Sequence, residues 1–274
     1  MFVDTHCHLD CIVSMGQTKV YLTNEKMMAI KKIILDAQNA KVNLIANVGC
    51  DAQSSYNSIE IARHFKPVFA LVGAHPYEGT DDWKSEFAAI KSIIRNRSNA
   101  DKIVGVGEIG LDFSRKDHDK QAQYDLLRAQ LELALQHNFP VSFHVRDAGD
   151  EFLEFLKPYS HELTGGVVHC FQQSLAFAKQ VTKWGLMLGI DAPIGYPKNG
   201  HLREIIREIG LQSLVLETDS PFLPPQQDRG NLNYPHNIPL VAQEVATCLN
   251  LTLAEVATIT TRNAWQLFAL SALP

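Results

Sequence analysis

The sequence is short of the features that mark several common protein classes. It has five cysteines in 274 residues, Cys7, Cys11, Cys50, Cys170 and Cys248, and none of them forms a CxxC pair. An odd, scattered set argues against a disulfide framework and against a structural zinc ribbon, and predicts reduced, mostly buried thiols. There is no excess of positive charge: 25 Lys and Arg against 30 Asp and Glu give a net charge of −5. No global basic field therefore draws the chain to nucleic acid or anionic lipid, and any phosphate recognition must be local. No basic stretch with a long apolar core opens the chain; MFVDTHCHLD carries Asp4 and two histidines instead. That pattern predicts neither leader nor membrane anchor, and hence a cytoplasmic protein. Low-complexity tracts and long charge blocks are absent, and no obligate protein partner is expected. Finally, no GxGxxG turn follows the first apolar run, which argues against a doubly wound dinucleotide fold; the glycines of VGVGEIG lie inside a strand.

What is present is a regular alternation. Eight β-rich runs, FVDTH, VNLIANVG, VFALVGAH, IVGVGEIGLD, PVSFHV, GGVVHCF, LMLGID and SLVLETD, are separated by segments whose apolar residues recur at helical spacing. Those helical segments are 24–40, 54–65, 83–97, 120–137, 151–159, 174–184 and 202–209, with two more, 238–249 and 253–270, after the last strand. Thr252 and Glu255 have the spacing of a capping box. Eight βα units with continuous apolar strands predict an α/β fold, a (βα)8 TIM barrel, as a single domain over residues 1–274; such barrels take about 250 residues.

In such a barrel, chemistry sits at the C-terminal mouths of the strands. Strand one ends on His6 and His8, which alternation turns to the same side, with Cys7 on the other. Strand three ends on His75, strand four on Glu108, strand five on His144, strand six on His169 and strand eight on Asp219. By the same alternation Val104, Val106 and Glu108 share a face, as do Val167 and His169, and Val215, Glu217 and Asp219. Four imidazoles with two carboxylates exceed the needs of one tetrahedral ion, so the spacing predicts two divalent metal ions. His6, His8 and Asp219 would hold one, His144 and His169 the other, with Glu108 bridging. Nitrogen and oxygen donors suit Zn, Mn, Fe, Co or Ni, with Mg less usual. A hydroxide activated between two cations makes hydrolysis the expected reaction, with Asp219 as a possible proton acceptor. Glu217, one layer deeper, and His75 are expected to orient a ligand or touch substrate.

The segments DTHCHLD, GAHP, GEIGLD, FHVRDA, VVHCF, LETDSPFLPP and TTRNAWQLF, in this order along the whole chain, resemble the TatD-type metal-dependent deoxyribonucleases. The resemblance implies an amidohydrolase-like (βα)8 metal-dependent hydrolase that cleaves phosphodiester bonds, with DNA, chiefly single-stranded, as substrate and 3′–5′ exonuclease action as one form of it. Carried over by motif, His6, His8, Glu108, His144, His169 and Asp219 would be the metal ligands, and His75 and Glu217 further site residues; Asp219 and Glu108 are the carboxylates expected to be catalytic. QQS after HCF, GYPKNG and LNYP depart from the usual forms of the family, in loops that bear on substrate choice.

Phosphate contacts are expected from Arg146, Lys198 and Arg229, and base stacking from Phe171, Tyr196 and Phe222. Two rivals stand beside this reading. A barrel amidohydrolase acting on an amide, lactone or ester shares the histidine pattern but often has lysine at strand four, where this chain has Glu108. A non-catalytic metal-binding protein is the other.

Overall fold

The structure, a computed structural model, describes residues 1–15, 20–77, 82–115 and 119–270. Among the described residues, eight parallel strands pair in sequence order: β1 (Phe2–Cys7), β2 (Val42–Val48), β3 (Val68–Val72), β4 (Ile103–Asp112), β5 (Val141–Arg146), β6 (Gly166–Val168), β7 (Met187–Ile190) and β8 (Leu214–Leu216). Around them lie α1 (Leu9–Ile12), α2 (Asn24–Asn39), α3 (Ala52–His64), α4 (Trp83–Arg95), α5 (Lys120–Gln136), α6 (Gly149–Leu156), α7 (Leu175–Lys183), α8 (Gly200–Ile209), α9 (Ile238–Leu249) and α10 (Leu253–Leu267). This is the expected (βα)8 barrel. No single helix among the described residues is long and apolar enough to cross a membrane.

The seam between β8 and β1 closes through a few specific bonds rather than a long ladder. Asp219 N–H donates to His6 O at 2.9 Å and His8 N–H to Ser220 O at 2.8 Å. Below them the buried Asp4 carboxylate accepts the Thr218 N–H at 3.0 Å and its hydroxyl at 2.6 Å. Closing the barrel here brings the first and last strand ends together, and with them His6, His8 and Asp219.

Strand alternation sorts the apolar side chains into two layers. Leu44, Ala46 and Val48 of β2, with Val3, Leu71, Val167 and Val215, form an inner layer that packs with Ala264 and Leu267 of α10 and with Phe268 just beyond it. Ile45, Val68, Ala70, Val72, Phe143 and Leu216 face outward under the helices. Each fully buried Val, Leu or Ile contributes about 1.5–3 kcal/mol. The lower barrel is thus filled with apolar side chains.

The boundaries differ from expectation in instructive places. α1 is a single turn, too short to show periodicity. α3 begins at Ala52 because Asp51 and Ser54 form a reciprocal cap, and α6 begins at Gly149 and passes into a 3₁₀ turn over Lys157–Tyr159 that contains Pro158. α10 stops at Leu267, while its Thr252–Glu255 capping box is formed. In β4 the expected shared face of Val104, Val106 and Glu108 is broken. Val104 packs with the inner layer and Val106 with the outer one. The cause is two register irregularities, one against β3 and one between Val106 and Ile109 against β5.

Candidate metal centre

A cavity of about 590 Å³ opens at the C-terminal ends of the strands. The centre of its floor is Glu108, 3% exposed. Its Oε1 lies 2.6 Å from His169 Nε2, 2.7 Å from His144 Nδ1 and 3.6 Å from His75 Nε2. Its Oε2 lies 3.3 Å from His6 Nε2 and 3.9 Å from His8 Nε2. The His6 and His8 Nε2 atoms are 3.2 Å apart, so both rings turn to one spot while Cys7 packs in the outer layer. Asp219 Oδ1 completes that side, 3.5 Å from His8 Nε2 and 3.9 Å from His6 Nε2. The structure therefore brings together all six residues expected to bind metal.

Each ring is oriented from behind. His8 Nδ1 sits 2.9 Å from the Val48 carbonyl, an acceptor only, so it carries a proton, and in the neutral ring the lone pair is then on Nε2, facing the cavity. His6 Nδ1 meets Ser142 Oγ at 3.3 Å, and the His6 ring stacks on His169 with centroids 4.0 Å apart. His169 Nδ1 faces Glu217 Oε1 at 3.6 Å. Glu217 is fully buried, and its Oε1 also accepts the Cys170 N–H. Gly189 makes room for it, since a Cβ there would stand 2.2 Å from Glu217 Oε2. Glu217 thus lies behind His169, on the side away from Glu108.

The donor set fits divalent cations. Among the described residues, His6, His8 and Glu108 form one group, and Glu108, His144 and His169 another, in which the ligand atoms lie within 4.8 Å of one another. Imidazole nitrogens with carboxylate oxygens are the donors that Zn, Mn, Fe, Co and Ni take.

Without cations these groups neutralise one another. Burial would raise the Glu108 carboxyl, but the charge of His169 and hydrogen bonds from His144 and His169 outweigh it and hold it well below the carboxylate range. Asp219 is likewise lowered: burial acts upward, and the His8 hydrogen bond with the His169 and His6 charges prevails. Burial alone would lower His8, yet the Asp219 hydrogen bond and the Asp219 and Glu108 charges push it up to about 9. His169 rises well above the ordinary imidazole value for the same reason, through Glu108 and Glu217, and His144 rises through Asp112 and Glu108. His6, buried and beside His169, is lowered. The cluster already holds positive charge where cations would sit.

The residues expected to meet substrate divide. Arg146 is exposed on the cavity rim. Lys198 and Arg229 are exposed but do not line the cavity, and Arg229 instead covers the Tyr196 ring at 4.8 Å. The stacking role expected of Phe171 and Tyr196 is corrected: they are 2% and 5% exposed, Phe171 packing near Phe177 and Tyr196 donating its hydroxyl to Pro224 O at 2.6 Å. Their apolar bulk draws them under the loops. Phe222, 44% exposed, does line the cavity, its ring 6.2 Å from that of His8.

Two residues beside the centre escape a reading of the sequence alone. Asp112, the last residue of β4, reaches His144 Nε2 with Oδ2 at 3.0 Å; its place in GEIGLD, four residues past Glu108, is the available signal. Cys50 Sγ lies 3.8 Å from Glu108 Oε2 and from His8 Nδ1, and nothing in VGCD announces it.

Comparison with known proteins gives a consistent result. The sequence profile of TatD-related DNases matches residues 3–269. YabD of Bacillus subtilis (strain 168), named an uncharacterized metal-dependent hydrolase, is 32% identical over 99% of this chain and 100% of its own. A protein of Erwinia tasmaniensis named 3′-5′ ssDNA/RNA exonuclease TatD is 33% identical over 87% of this chain and 93% of its own. The crystal structure of YjjV, a TatD homologue from Escherichia coli K12, superposes with a TM-score of 0.88 at 28% identity over 98% of both chains.

Proposed function

Because the chain belongs to the family of TatD-related DNases, metal-dependent hydrolases acting on ester bonds, we propose that it hydrolyses phosphodiester bonds of single-stranded DNA or RNA, removing nucleotides from the 3′ end with two divalent cations. The activity by which the Erwinia relative is named supports the substrate class and polarity. The observation that carries the proposal is the Glu108 carboxylate, whose two oxygens face two different pairs of imidazoles.

In this reading His6, His8 and Asp219 would hold one cation and His144 and His169 the other, with the Glu108 carboxylate available to both. Bound cations supply a water of lowered pKa and polarise the phosphoryl oxygens. The chain's own groups do the rest. Asp219, ionised and 9% exposed at the cavity, accepts the proton of the attacking water. His75 accepts the Tyr77 N–H at Nδ1, 3.1 Å away, so its neutral ring carries the proton on Nε2. That nitrogen faces the cavity as a donor to a phosphate oxygen rather than as a ligand. Arg146 on the rim adds a phosphate contact, and Phe222 offers an exposed ring face for a base.

The test is cleavage of oligonucleotides labelled at either end, after chelation and re-addition of Mn²⁺ or Mg²⁺. A metal-dependent ladder shortening from the 3′ end is expected. Hydrolysis of a lactone or amide with the oligonucleotide intact would favour the amidohydrolase reading. Binding of nucleic acid without turnover of any substrate would favour a non-catalytic protein.

A further inference from the structure

The four imidazoles of the centre do not face it in the same way. His6, His8 and His169 turn Nε2 toward the carboxylates, whereas His144 turns Nδ1, 2.7 Å from Glu108 Oε1. Its Nε2 points away and meets Asp112 Oδ2 at 3.0 Å. We propose that Asp112 is a positioning residue that fixes the tautomer and ring orientation of His144, so that the Nδ1 lone pair is presented to the cation site. The inference rests on the reading of His144 as a ligand given above.

Three features make Asp112 suited to this task. It is 1% exposed, so its bond to His144 does not compete with bulk water. Its other oxygen, Oδ1, is already engaged, accepting the Tyr77 hydroxyl and the Ser114 N–H, each at 2.9 Å. Its backbone is clamped on both sides by the fully buried Gln123, which accepts the Asp112 N–H at 2.9 Å and donates to the Asp112 carbonyl at 2.8 Å. The carboxylate is therefore held at one place and one angle.

An ionised carboxylate only accepts, so each His144 nitrogen that faces one is favoured as a donor, Nδ1 toward Glu108 and Nε2 toward Asp112. When a cation takes the place of the Nδ1 proton, the remaining proton is the one that Asp112 holds on Nε2. Without Asp112 the ring can adopt the opposite tautomer, with a proton where the cation must bind, or turn over about its Cβ–Cγ bond. A carboxylate behind a ligating imidazole is a general device for raising ligand basicity and fixing ring orientation, and losing one costs about 10- to 100-fold in metal affinity or activity. The Tyr77 hydroxyl ties the same carboxylate to the loop after β3 that carries His75. The loop and the His144 ring are thus set by one group.

The experiment compares wild type with Asp112→Asn and Asp112→Ala by ¹⁵N NMR of the imidazoles and by zinc titration against a competing chelator, with melting curves to confirm that the fold is kept. At a pH where the His144 ring is neutral, metal-free wild type is expected to hold the proton on Nε2 to a greater extent than either variant, in which Glu108 alone draws it to Nδ1. Zinc-loaded wild type is expected to show the metal shift on Nδ1. The weaker zinc equivalent is expected to bind about 10- to 100-fold less tightly in both variants. An unchanged His144 spectrum in both variants would overturn the proposal. So would the complete loss of one zinc equivalent with the His144 tautomer intact, which would make Asp112 a ligand. If wild type binds no zinc at this cluster while the tautomer still depends on Asp112, the metal reading falls and the Asp112 inference stands.

Discussion

Glu108 and His169 meet at 2.6 Å, Oε1 to Nε2, one from the middle of β4 and the other just beyond β6. The same carboxylate turns its second oxygen to His6 at 3.3 Å. One side chain therefore links the two halves of the barrel mouth, which is the basis of the first expectation. Glu108→Gln keeps the shape and removes the charge. Bound metal is expected to fall by at least one equivalent and turnover by more than about 100-fold, beyond the loss typical of a supporting residue. Elemental analysis beside the oligonucleotide assay reads both, and full metal content in the variant would contradict the assignment.

Metal binding is expected to strengthen as pH rises. His8, raised to about 9, is protonated at neutral pH in the metal-free protein, His169 is raised in the same direction, and ligation must displace those protons. Apparent affinity should climb about tenfold per pH unit for each proton displaced between pH ~6.5 and ~9. Calorimetric titrations in buffers of different ionisation enthalpy measure the proton release; a flat affinity profile would argue against these histidines as ligands.

The metal-free protein should behave in the opposite sense. A folded-state imidazole pKa above the unfolded value gives stability that is complete below about pH 6.5 and is lost as pH rises through the folded value. The depressed Glu108 and Asp219 carboxyls give stability present above about pH 4 and lost as pH falls. Chelated protein is thus expected to melt lower toward pH 9 than near pH 5, the buried Asp4 carboxyl, pushed up to about 8, adding to the decline, and added metal is expected to offset it. Melting curves across pH with and without chelator test this.

Gly110→Ala is expected to destabilise by about 3 kcal/mol or more, at the upper end for overpacking. A Cβ at this position would stand 1.8 Å from the His144 carbonyl oxygen, on the strand that carries a proposed ligand. Denaturant unfolding measures the loss, and activity should fall with it because β5 must shift.

Phe222 and Phe171 offer a contrast. Phe222→Ala, at an exposed ring, is expected to leave stability unchanged and raise KM about 10-fold, the scale of one lost base stack. Phe171→Ala, at a buried ring, is expected to cost about 3–5 kcal/mol of stability. Equal effects of the two on KM at full stability would remove the stacking role of Phe222.

The barrel and the convergence of its strand ends could be read before the structure because both rest on residue type and period. An apolar run ending in histidine or glutamate is visible in one dimension, and closure of eight such runs brings His6 and Asp219 together whatever the loops do. What escaped depends on contacts. The irregular register of β4 moves Val106 to the outer layer, and no local residue pattern announces it. Phe171 and Tyr196 look like surface aromatics in a loop until packing buries them. Asp112 has its meaning only through the ring it faces, a neighbour on the next strand. The closing seam was equally hidden, since Asp4 and Thr218 are ordinary strand residues until the barrel closes.

The central claim is that Glu108 joins two cations. Anomalous diffraction from crystals of the manganese-loaded protein tests it most directly. The account predicts two peaks about 3.5–4 Å apart, one beside His6, His8 and Asp219, the other beside His144 and His169, each in contact with a different Glu108 oxygen. A single peak, or a pair of peaks neither of which touches Glu108, would contradict it.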